Sequence, residues 1–127
     1  MTDSAARLSK ARAFHKAARD AMSLADNADI ADPIISHIVL AAIAYTDALT
    51  AHFANEINKK DHAAAPKLLR AALGKEFPDE QERRLSRMLG RKDAAQYGVR
   101  SSRKSDAEQL LADLEKFAAW VETLLSG

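Results

Sequence analysis

A chain of 127 residues, 47% of them hydrophobic, is the size of one domain spanning residues 1–127 and can hide roughly two thirds of its unfolded surface without a covalent staple. It contains no cysteine, which excludes disulfides, thiolate metal sites and thiol nucleophiles and is compatible with a reducing compartment. The formal charge of +1 conceals an uneven distribution: from Arg83 to Lys104 eight cations stand against one acid, Asp93, a net +7, and the rest of the chain sums to −6.

In chain order the residues read as helix throughout. Glycine and proline are sparse, 4 and 3 residues, and no stretch alternates valine, isoleucine or threonine with polar residues as a strand would. The first helix is predicted over about residues 4–25, with Leu8, Ala11, Phe14, Ala18, Ala21, Met22 and Ala25 on one face and Arg12, Lys16, Arg19 and Asp20 opposite. Charges fall every few residues in this segment, so no secretory leader is expected. "DNADIADP" breaks the periodicity. Asp32 is placed to cap a second helix, and Pro33 suits its first turn, where the missing amide proton has no partner to lose.

The second helix, about residues 33–58, has a bulky apolar side (Ile34, Ile35, Ile38, Val39, Tyr45, Leu49, Phe53, Ile57) and a small one (Ala41, Ala44, Ala48, Ala51). Neighbours on both sides are implied, which makes this the central helix. Ser36, His37, Thr46 and Asp47 interrupt it, so it falls short of the roughly 18 apolar residues of a membrane span and no membrane contact is expected. A shorter third helix carries Pro66 in or near its first turn and closes at Gly74. The fourth starts near Pro78 or Asp79 and packs Leu85, Met88 and Leu89; Gly90 weakens it and Gly98 ends it. In the last helix Ser105 and Glu108 have capping-box spacing, and Ala107, Leu110, Leu111, Leu114, Phe117, Ala118, Val121, Leu124 and Leu125 form the core stripe. Trp120 lies beside that stripe, placed to close the bundle edge or to meet another subunit.

The last third, "RKDAAQYGVRSSRKSDAEQLLADLEKFAAWVETLL", resembles the C-terminal part of HEPN domains, in which a helix ending near an acid and a tyrosine is followed by a polar turn and a final amphipathic helix. Asp93, Tyr97, Ala107, Phe117 and Val121 occupy those places. "IAYTDALTAHF" and "KDHAAAPKLLR" are similar to the second and third helices of small stand-alone members. The resemblance implies an all-α, antiparallel up-and-down bundle of four long helices plus one short helix. It also implies a homodimer in a prokaryotic cytoplasm. Many members are metal-independent ribonucleases that place a histidine four to six residues after an arginine, pairing an imidazole for proton transfer with a guanidinium for phosphate charge. Here the histidines are His15, His37, His52 and His62; Arg12 stands three positions before His15, Arg7 eight, and the other three have no arginine at the required distance. A ribonuclease of the usual type is therefore not expected.

Three groups of residues have chemistry beyond packing. Arg84, Arg87 and Arg91 recur at helical spacing, and Lys92, Arg100, Arg103 and Lys104 extend them toward a phosphate backbone, with Tyr97 as a stacking ring. The bland reading of the same residues is a solvated helix end beside a packed tyrosine. Asp47 falls on an alanine-rich side of the central helix, where it either forms a polar interior with Tyr45 and His62 or makes an internal salt bridge. His52 and Glu56, four residues apart, supply two metal ligands without the others a site needs, so no metal and no cofactor is expected. His15 and His37 sit at the edges of apolar faces as hydrogen-bonded boundary residues.

Together these features favour a non-enzymatic HEPN-like interaction module, a component of a toxin–antitoxin or defence-type system as the resemblance suggests, binding RNA or an acidic protein through its basic fourth helix. Two rivals remain open: a divergent metal-independent ribonuclease using a histidine brought near the arginines by folding, and a metal-binding helical bundle.

Overall fold

Pro33 and Pro66 each enter the first turn of a helix, where proline's fixed φ helps and its missing N–H costs nothing, and the architecture is built outward from these two starts. In the computed structural model, residues 4–54, 64–92 and 101–126 are described, and all secondary structure among them is helical. The helices are α1 (Ser4–Leu24), α2 (Asp32–Phe53), α3 (Ala65–Leu73), α4 (Asp79–Leu89) and α5 (Lys104–Ser126), with a 3-10 turn at Gly74–Glu76. Among the described residues three helices are long, with 21, 22 and 23 residues, and two are short, with 9 and 11. The fourth helix stops at Leu89, with Gly90 in its cap, and does not run on as one helix; Gly98 lies outside the described residues.

α2 packs against α1, α3, α4 and α5. Its alanine face is closed within the chain, with Ala41 and Ala48 fully buried and Ala44 and Ala51 5% and 3% exposed. The bulky face buries Ile35, Ile38 and Leu49 completely, each contributing about 1.5–3 kcal/mol relative to exposure. By length and composition α2 is apolar enough to cross a membrane, but 78% of that apolar window is buried inside the bundle. It ends at Phe53, five residues before the expected position, and Phe53 is 40% exposed rather than core. Buried Thr46 and Thr50 on α2 satisfy their hydroxyls on carbonyls of their own helix, Ala42 and Asp47, at 2.9 and 3.3 Å.

Two expected caps form differently. Asp32 is the first helical residue of α2 and caps nothing there; its Oδ1 accepts from the Ser102 N–H at 2.7 Å, while the Ala31 N–H donates to the Ser102 carbonyl at 3.0 Å. At α5 half of a capping box forms, two residues earlier than expected, and the Arg103 side chain, being donor-only, cannot supply the other half. The Asp106 carboxylate accepts from the Arg103 N–H at 2.9 Å, so Arg103 takes the N-cap position expected of Ser105 and Asp106 the role expected of Glu108.

Between α3 and α4 the chain turns at Gly74, whose φ of +57° lies in the left-handed region that favours glycine. Arg70 fixes this corner: its guanidinium donates to the Gly74 and Phe77 carbonyls, pairs with Asp79 and Glu82, and lies 4.9 Å over the Phe77 ring. Trp120 stacks on the other partner of this corner, with ring centroids 5.6 Å from Phe77 and an interplanar angle of 23°. Trp120 thus closes the bundle edge within the chain.

Candidate functional site: a basic face and a polar seam

The arginines of α4 are positioned by an amphipathic helix that buries Leu85 and Met88 and turns its other side outward. Arg87 donates through Nε and Nη2 to the two Asp113 oxygens on α5 at 3.0 and 2.8 Å, a fork that lifts its pKa above the ordinary guanidinium value. Arg84 lies 3.9 Å from Glu80, its side chain only 15% exposed. Arg91 donates to the Ser102 hydroxyl at 2.7 Å and so helps hold the chain entering α5. A groove of about 390 Å³ runs between the helices, lined by Arg87 and Arg91 but also by Asp106 and Asp113. Arg103 is exposed at the start of α5 and Lys92 is half-buried. Tyr97 and Arg100 lie outside the described residues, as does Asp93.

Of the sequence-predicted polar interior, Tyr45 and Asp47 fall on different sides of α2. Tyr45 and Asp47 are both buried, 2% and 7% exposed, but two residues on a helix point about 200° apart. His62 lies outside the described residues, as does Glu56, the expected companion of His52.

Tyr45 instead meets α1. Its hydroxyl lies 2.9 Å from His15 Nδ1, and the rings are edge-on with centroids 5.9 Å apart. Burial, followed by the nearby Glu122 charge, pushes the Tyr45 hydroxyl up to about 12, so it is a proton donor through the neutral range. Nδ1 of neutral His15 is then the acceptor, and Nε2 carries the ring proton. Nε2 stands 3.1 Å from Glu115 Oε2 on α5, within ion-pair reach, yet the approach is not aligned as a hydrogen bond and Nε2 is buried without one. A second link closes the seam farther along, where Arg12 donates to both oxygens of Glu122, one at 2.7 Å. The hydrogen bond from Arg12 holds the Glu122 carboxyl below its ordinary value.

Sequence reasoning placed His15 on the border of the apolar face but did not join it to Tyr45. The available signal was a histidine within the arc of Ala11, Phe14 and Ala18, since a polar ring on a buried arc needs a partner. Among the described residues no three His, Asp or Glu side chains group as metal ligands. The chain matches no protein-family model and no curated protein.

Proposed function

We propose that the chain is a non-enzymatic, HEPN-like interaction module, one component of a prokaryotic cytoplasmic system of the toxin–antitoxin or defence type, and that its α4–α5 face docks an acidic protein surface. The observation that carries this reading is the Arg87–Asp113 fork: it holds a guanidinium in place while leaving 54% of the side chain exposed. Fixing a cation before binding lowers the ordering cost of association. The same groove argues for protein over RNA. A phosphate backbone needs uncompensated positive charge along its path, whereas Asp106 and Asp113 line this groove together with Arg87 and Arg91. A protein partner carries both signs of charge and complements such a surface. Ala107, Phe117 and Val121, which carry the HEPN resemblance in the sequence, are buried on α5, as the apolar stripe of a packed amphipathic helix is. The homodimer is part of the proposal through the HEPN resemblance alone; the alanine face of α2 is buried within the chain.

The test compares a fluorescent glutamate-rich peptide that also carries lysines with a short single-stranded RNA in anisotropy titrations at several salt concentrations, using wild type and Arg87→Ala/Arg91→Ala. The proposal expects the mixed-charge peptide to bind and the double variant to lose about tenfold, or about 1.4 kcal/mol. Tighter binding of RNA, with a salt slope that shrinks in the variant, would replace the protein reading with an RNA one. Absence of binding to both would remove the α4–α5 face from consideration.

A further inference from the structure

We infer that the window in the seam between α1 and α5 binds a small zwitterion of the amino-acid type, bearing one carboxylate and one ammonium group. The seam is closed at two places, by Arg12 with Glu122 and by His15 with Glu115. Between the two glutamates α5 presents Ala118 and Ala119, and the space left by these small side chains is a cleft of about 460 Å³. That volume is in the range of small-molecule sites, and Tyr45 and His15 lie at its base.

The chemistry of the occupant follows from which charges remain unmatched. Arg12 is bound by both Glu122 oxygens, and Lys16 pairs with Asp20 at 2.7 Å. Arg19 has no ion pair or hydrogen bond among the described residues. Glu115 is 43% exposed, and its ion pair among the described residues is the unaligned one with His15. Arg19 and Glu115 both act electrostatically on the Tyr45 hydroxyl, which places them around one point.

An independent observation comes from His15 itself: the residue is 6% exposed, lines the cleft, and its Nε2 lacks an aligned acceptor. The cleft therefore offers a cation without an ion pair among the described residues and an accessible carboxylate, with the buried His15 ring behind Glu115. A ligand carboxylate is matched by Arg19 and a ligand ammonium by Glu115. A phosphate dianion would bring two negative charges against Glu115 and Glu122, and a simple amine would leave Arg19 unmet.

The experiment uses the full chain and saturation-transfer NMR with the standard L-amino acids, followed by calorimetry on each responder, its methyl ester and its des-amino acid. The expected result is saturable binding by at least one amino acid, weakened about tenfold or more in Arg19→Ala and in Glu115→Gln and in both analogues. Ala119→Leu, which fills the window from an exposed position and alters no charge, is expected to abolish it while leaving the circular-dichroism melt unchanged. No response at millimolar concentration overturns the inference. So does equal binding of the ester or des-amino acid, or binding that survives Ala119→Leu.

Discussion

On one side of the bundle Arg87 holds Asp113 by two hydrogen bonds of 3.0 and 2.8 Å and stays half exposed; on the other, His15 and Tyr45 share a single bond of 2.9 Å at positions 6% and 2% exposed. Counting bonds would rank the arginine pair first. Solvent reverses the order. Water and salt screen the exposed fork and replace its partners when it breaks, whereas a buried hydroxyl or ring nitrogen that loses its partner keeps the full desolvation penalty. The exposed fork therefore adds little to holding the helices together, and the seam is a surface whose polar groups help determine whether three helices stay together.

Both regions rest on the same apolar floor, so the largest expected effect belongs to neither. Phe117→Ala, at a fully buried position, is expected to cost about 3–5 kcal/mol in urea unfolding and sets the scale for the smaller polar effects. The next effect singles out the seam. With the Tyr45 hydroxyl raised from 10.0 to about 12, the unfolded chain loses a proton in that interval that the folded chain keeps. Its contribution is fully present below pH 10 and is lost as pH rises through about 12, so stability falls by up to about 3 kcal/mol across the window. Chemical denaturation in steps of alkaline pH measures this fall, and Tyr45→Phe is expected to flatten it.

At neutral pH the same Tyr45→Phe change leaves His15 Nδ1 buried without its donor and is expected to cost about 1–3 kcal/mol. Arg87→Ala is expected to cost less than about 1 kcal/mol under the same conditions, because its fork is exposed. Equal losses in the last two variants would break the comparison; a larger gap in high salt would sharpen it, since only the fork is screened.

The proline-marked helix starts, the Gly74 turn and the central helix were legible because they depend on local chemistry. Pro33, Pro66 and Gly74 act through their own backbone restrictions, and a segment apolar on nearly every side, as α2 is, has to be surrounded. The last-helix cap was misread by two residues because Ser105 and Asp106 both suit a helix start, and the choice depends on how Ser102 is held by Asp32, 70 positions away. The charged partners were not legible for the same reason. Arg87 meets Asp113 across 26 positions and Arg12 meets Glu122 across 110, distances at which only helix packing decides who faces whom. Likewise, His15 and Tyr45 each advertise the need for a partner, but nothing over their separation of 30 positions signals that they are each other's.

The most direct measurement of the seam is the nitrogen-15 NMR of the His15 ring in wild type and Tyr45→Phe. The Tyr45 hydroxyl donating to Nδ1 predicts an unprotonated Nδ1 and a protonated Nε2 at neutral pH, with this preference lost in the variant. A proton on Nδ1, or a ring signal indifferent to the tyrosine hydroxyl, would contradict the seam from which the cleft and its ligand chemistry are derived.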